Sequence, residues 1–185
     1  MQNVVSEEIE QIKMHKPHVV ILGAGCSRAA LPEGDANGKR LPLMQDFLQI
    51  VTPLKDLFES IGVTTEGRNL EEVYSGLVGS CAPEILEKAE AIIYHYFESL
   101  VLPDCPTLYD HLLLGLRKKD VVATFNWDPF LVQAIRRNAI LYGRGPELLF
   151  LHGNVMAAFC AKHSIQGPVG NSCSECGEPL TRSRL

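Results

Sequence analysis

Residues 17–25 read Pro17-His18-Val19-Val20-Ile21-Leu22-Gly23-Ala24-Gly25. A short β-branched apolar run that stops at glycines predicts a buried strand feeding a tight turn. The same grammar recurs twice. Val121-Val122-Ala123-Thr124-Phe125 runs into Asn126-Trp127-Asp128-Pro129, and Leu148-Leu149-Phe150-Leu151 runs into His152-Gly153. Helical patterns fill the space between the first two runs. One extends from Leu43 to near Gly79, with breaks near Pro53 and from Gly62 to Gly67. A stronger one extends from Pro83 to near Leu102, with Ile85, Ala89, Ile92, Ile93, Tyr96 and Phe97 on one face and Glu87, Lys88, Glu90, His95 and Glu98 on the other. Thr107 to Arg117 and Phe130 to Asn138 read as two more helices. Strands separated by helices predict an α/β domain with a parallel sheet. In open α/β sheets ligands gather at the carboxyl ends of the strands. All three strand ends here are polar or glycine-rich, so they are expected to meet around one crevice.

Bulk properties narrow the class. The chain has 185 residues, 46% hydrophobic and 21% charged, enough to bury a core and too apolar for disorder. It lacks the run of about 18 apolar residues that a membrane-spanning helix needs. A net charge of −5 argues against a protein that grips nucleic acid through phosphates. Residues 1–16 carry Glu7, Glu8, Glu10, Lys13 and Lys16 and read as an N-terminal helix. They have neither the apolar stretch of a secretory signal nor the acid-poor character of a transit peptide. A reducing cytoplasm is the expected location, where clustered cysteines bind metal more often than they bridge.

Three motifs carry candidate chemistry. Gly23-Ala24-Gly25-Cys26-Ser27 would let backbone approach a phosphate at a helix N-terminus, where free N–H groups favour anions. The dinucleotide fingerprint wants a small residue at position 28, and Arg28 stands there, so an ordinary dehydrogenase site is not supported. The plainer alternative is a strand-to-helix turn capped by Ser27. Asn126 offers donor and acceptor groups suited to ribose hydroxyls or a carboxamide. Asp128 before Pro129 also suits a helix N-cap, and both readings can hold together. His152 at the third strand end could act as a base near neutral pH, or be structural.

The last thirty or so residues have no apolar periodicity. They hold Cys160-Ala161-Lys162-His163 and Cys173-Ser174-Glu175-Cys176, two pairs at the spacing of a tetrahedral zinc site. A labile disulfide or a decayed ribbon is the alternative. A segment so poor in apolar residues has little else to fold it, which favours zinc in a small ribbon. Cys26, Cys81 and Cys105 have no partner pattern and are expected to be buried thiols.

Gly23-Ala24-Gly25-x-Ser27, Thr124-x-Asn126-x-Asp128, His152-Gly153 and paired metal ligands, in that order, resemble the sirtuin family. More narrowly they are similar to the bacterial sirtuin-like domains, many in anti-phage systems, that hydrolyse NAD. The resemblance implies a Rossmann-like NAD-binding domain over 17–40 and 120–154, an inserted helical module over 41–119 and a zinc ribbon over 155–185. It implies that Gly23, Ala24, Gly25, Ser27 and Thr124 lie against the dinucleotide. It implies that Asn126 holds the nicotinamide ribose and places a water, that Asp128 contacts the carboxamide, and that His152 bonds the ribose and serves as base. NAD is then the ligand and zinc is structural. Deacylases of the family carry a Gln where Phe125 stands and an Asp-Phe-Arg stretch that has no match here. That ranks NAD glycohydrolase above protein deacylase, with a non-catalytic nucleotide-binding module as the third reading. Family members continue with further strands, so the resemblance implies a fragment, a truncated gene product, or a half whose sheet is completed by a second copy or a partner chain.

Overall fold

The computed structural model describes Val5 and residues 16–142 and 145–182. The helix expected over 1–16 lies outside the described residues except at its Val5 and Lys16 positions. Strand β1 (Val19–Leu22) leads into helix α1 (Ala24–Ala30). Five helices follow before the chain returns to the sheet: α2 (Phe47–Ile50), α3 (Thr52–Ser60), α4 (Leu70–Leu77), α5 (Pro83–Glu98) and α6 (Leu108–Gly115). Strand β2 (Val121–Thr124), helix α7 (Phe130–Tyr142) and strand β3 (Glu147–Phe150) complete the first part. Short strands β4 (Ala157–Phe159), β5 (Gln166–Pro168) and β6 (Thr181–Arg182) form a separate antiparallel sheet in the order β5-β4-β6.

The three short apolar runs pair as the sequence predicts. The sheet is parallel, in the order β1-β2-β3, with Leu22 opposite Thr124 and Thr124 opposite Phe150. All three carboxyl ends therefore finish level at one end of the sheet. β2, in the centre, is buried over Val122, Ala123 and Thr124. β1 departs from the expected buried strand. Val20 and Leu22 pack on the core, but Val19 and Ile21 are 62% and 68% exposed. Leu149 of β3 shares that outer face and is 39% exposed. Among the described residues the sheet is covered on one face only, whereas parallel sheets are ordinarily covered on both.

The helical insertion packs around α5. Its Ala89, Ile93 and Phe97 recur at four-residue spacing and are buried, and α3 lays Leu54 and Phe58 into the same core. α5 starts on Pro83, whose missing N–H is harmless in a first turn, and ends at Glu98, four residues short of the sequence expectation. α4 starts with Asn69 accepting from the Glu72 N–H while Glu72 accepts from the Asn69 N–H. The break between α3 and α4 covers Gly62 to Gly67, where the turn residues predict it. In the loop after α1, Gly34 has φ +100° and a Cβ there would stand 2.7 Å from the Lys39 carbonyl, so only glycine fits.

α6 and α7 are joined through a buried acid. Asp110 Oδ1 accepts from Arg137 Nε at 2.9 Å and from Asn138 Nδ2 at 2.7 Å, and Asp110 Oδ2 accepts from the Thr107 N–H at 2.6 Å. Burial alone would raise this carboxyl; Arg137 and the Thr107 groups outweigh it and hold it well below the usual carboxylate range.

Candidate functional site

The three level strand ends place their loops side by side. Ser27, on α1, is buried beside Asn126 and Asp128, which follow β2. Ser27 Oγ donates to Asp128 Oδ2 at 2.6 Å and accepts from Asn126 Nδ2 at 2.8 Å. Tyr109 of α6 reaches in and its hydroxyl lies 2.6 Å from the same Oγ. A serine hydroxyl has one proton and two lone-pair sites. With the proton on Asp128, Tyr109 and Asn126 are both donors, and the orientation of the Asn126 amide follows. That leaves Asn126 Oδ1 buried with no partner among the described residues. An unpaired buried acceptor costs about 1–3 kcal/mol, and this oxygen is the unsatisfied polar atom of the cluster.

Electrostatics reinforce the arrangement. Burial pushes the Asp128 carboxyl up to about 6, against the pull of hydrogen bonds from Ser27 and the Phe130 N–H. Burial first, and then the Asp128 charge, push the Tyr109 hydroxyl far above its ordinary range, so it stays a donor. The Phe130 N–H lies 3.3 Å from Asp128 Oδ1, so Asp128 serves the start of α7, as the helix-start reading expects.

Around this cluster is a cleft of about 230 Å³. Its floor is Ala24, Ser27, Asn126 and Asp128; Phe125 and His152 stand at its edge, and Phe47, Phe97 and Trp127 wall it from the helical side. The three wall rings pack edge-on or tilted, with centroids 5.8 to 6.3 Å apart. His152 is exposed, and its ring meets that of Phe125 edge-on at 4.9 Å. Gly23 and Gly25 lie on the exposed strand-to-helix junction, next to Ala24. A Cβ built on either glycine meets nothing within 4 Å, so the fold's own packing does not demand glycine there. Thr124 Oγ1 accepts from the Asn126 N–H at 3.0 Å and sets the start of the second loop.

Three supporting residues escaped the sequence reading. Arg28, the residue that breaks the dinucleotide fingerprint, donates to the Leu41 carbonyl at 2.9 Å and pairs with Asp46 at 2.5 Å. It holds the 41–46 loop, and so Leu41, Pro42 and Met44, against the cleft. Asn154 Nδ2 donates to the carbonyls of Asn126 at 3.2 Å and Asp128 at 2.7 Å, fixing the second loop from the third. Only its polarity at a strand end signalled it. Tyr109 gave no signal, because an aromatic on an amphipathic helix reads as core. Ser27 is not the helix cap of the alternative reading: the cap position is Gly23, and Ser27 lies inside α1.

No protein-family model and no curated protein matches the chain.

The second cluster is at the ribbon. Cys160, His163, Cys173 and Cys176 bring one donor atom each within 4.8 Å of one another. Cys160 Sγ lies 3.8 Å from Cys176 Sγ, and His163 Nδ1 lies 3.6 Å from both Cys160 Sγ and Cys173 Sγ. Two thiolates each about 2.3 Å from a shared tetrahedral centre stand about 3.8 Å apart. The cluster can hold a metal ion such as zinc. The three other thiols differ from expectation: Cys26 and Cys81 are half-buried and Cys105 is exposed. Among the described residues no helix is long and apolar enough to cross a membrane.

Proposed function

We propose that the cleft binds NAD and cleaves the bond between nicotinamide and ribose, on a Rossmann-like domain with an inserted helical module. The observation that carries this reading is the buried Ser27–Asn126–Asp128 cluster with its unpaired Asn126 Oδ1. It sits at the carboxyl ends of three parallel strands, where α/β sheets bind ligands. A ribose hydroxyl is a donor of the size and kind that this oxygen lacks. The first-turn N–H groups after Gly23 and the open space over Gly23 and Gly25 suit a diphosphate. The aromatic wall suits a flat ring.

In the reaction the bond from ribose C1′ to the nicotinamide nitrogen breaks and its electron pair leaves with neutral nicotinamide. The ribose becomes oxocarbenium-like and positively charged. Asp128, ionised above about pH 6, lies in a water-poor cluster where a fixed negative charge acts strongly on such a centre. Water held by Asn126 adds to C1′, and His152 takes the proton it loses and returns it to solvent. The products are ADP-ribose and nicotinamide. Zinc supplies only rigidity in this scheme, because Cys160, His163, Cys173 and Cys176 would fill all four of its positions.

The test is to incubate the chain with NAD and follow free nicotinamide. Release that disappears in an Asn126→Ala, His152→Ala double variant supports the reading. A parent chain that releases no more than the double variant overturns it.

A further inference from the structure

Beyond the first cleft lies a second of about 270 Å³. The two share Met44, Trp127 and His152 as a common partition. Their chemistry differs. The first has one buried acid at its floor; the second is faced by Glu71 and Ser75 of α4 and Glu90 of α5, with the ring of Tyr74 beside them. Tyr74 donates its hydroxyl to Glu90 Oε1 at 3.1 Å, which fixes the carboxylate on the half-buried face of α5. Among the described residues no Lys or Arg lines this cleft, and its one basic side chain is His152 at the partition. The remaining surface is mostly apolar, from Leu70 and Ile93.

A cavity lined by two aromatic residues, two carboxylates and an apolar floor is complementary to one kind of group. A cation is attracted by the acids and by aromatic rings, while an anion is repelled by the two carboxylates. The apolar floor favours a cation carried on a short aliphatic stem over a bare metal ion. We infer that the second cleft is a binding subsite for a primary ammonium group on a short apolar stem, held between Glu71, Glu90, Tyr74 and Trp127. The same group occurs on a free alkylamine and on a lysine side chain. This subsite does not depend on the dinucleotide reading of the first cleft, although a ligand in it would lie against the other side of His152.

Trp127 is the single tryptophan of the chain and borders the cleft, so its fluorescence reports occupancy directly. The whole chain, without nucleotide, is titrated with n-butylammonium chloride, with Nα-acetyl-lysine amide, with n-butanol and with sodium butyrate at constant ionic strength. The expected result is saturable quenching by one or both ammonium probes, at least tenfold weaker binding of butanol, and none of butyrate. Response to n-butylammonium alone assigns a free amine; response to the lysine amide assigns a side chain. A Glu71→Gln, Glu90→Gln double variant should lose at least tenfold in affinity. Ser75→Lys, at an exposed position, should do the same by placing a tethered ammonium at the rim. Circular dichroism confirms that each variant is folded, and Ser75→Lys decides if the double variant is not. Butanol binding as tightly as butylammonium, no saturation by either ammonium probe, or parent-like affinity in the folded variants overturns the inference. Nicotinamide release from NAD, measured separately, is unaffected by that failure.

Discussion

Ser27 and Asp128 stand 101 residues apart in sequence and 2.6 Å apart in space, joined by a buried hydrogen bond. That contact closes the helix after β1 onto the loop after β2. Tyr109 brings a third element to it, and the Asp110–Arg137 pair holds the helix that carries Tyr109. The candidate site is therefore supported by the helical insertion as well as by the sheet.

Tyr109→Phe tests this support. The ring keeps its packing against Phe130, with centroids 6.2 Å apart, but Ser27 and Cys26 lose a hydroxyl partner. Loss of one buried hydrogen bond should lower stability by about 1–2 kcal/mol in urea unfolding. Tyr109→Ala adds a cavity and should cost about 3–5 kcal/mol. A Tyr109→Phe variant as stable as the parent would show that the hydroxyl is idle.

Asp128 predicts a pH dependence with a definite sign. Its carboxyl rises from 3.8 in the unfolded chain to about 6 when folded, so ionising it is harder in the native state. Below about pH 4 both states are protonated and no penalty exists; the penalty grows from about pH 4 to pH 6 and is constant above. Asp128→Asn removes it. The stability of the variant relative to the parent should rise by about 2–3 kcal/mol between pH 4 and pH 7. Thermal unfolding across that range measures the difference, and a flat difference would contradict the assigned burial effect.

His152 and Asn126 should separate chemistry from stability. His152 is exposed, so His152→Ala should leave unfolding within about 0.5 kcal/mol of the parent. Under the proposed reaction it should slow nicotinamide release by about a hundredfold or more. Asn126→Ala should abolish release as well, and also weaken the fold, because Ser27 and Cys26 lose their amide donor.

The ribbon should answer to metal. Elemental analysis is expected to find one zinc per chain, and Cys160→Ser or Cys173→Ser should remove it. Amide exchange across β4, β5 and β6 should accelerate in these variants, while β1, β2 and β3 remain protected. A metal-free chain with a protected ribbon would refute the zinc assignment.

Much of this was legible before any coordinates. The strand runs at Val19, Val121 and Leu148 announced themselves through β-branched and aliphatic composition, and their polar ends pointed to one edge. Cys160, His163, Cys173 and Cys176 were legible by spacing alone. What stayed hidden depends on contacts between distant segments. Nothing local says that Arg28 grips Leu41 and Asp46, or that Tyr109 turns its hydroxyl to Ser27 rather than to solvent. The exposure of Val19 and Ile21 was equally unreadable, because an apolar strand looks the same whether one of its faces is covered or both.

Among the described residues the outer side of the three-stranded sheet is bare, and that has a practical meaning. Side chains such as Ile21 keep water ordered against carbon that most sheets of this kind seal away. The chain studied by itself should bind hydrophobic dyes and become less soluble as salt rises. Trading Ile21 for lysine should relieve both, because its side chain is exposed on that outer face and lines neither cleft. That makes colloidal behaviour, rather than melting, the first property to watch when the chain is handled at high concentration.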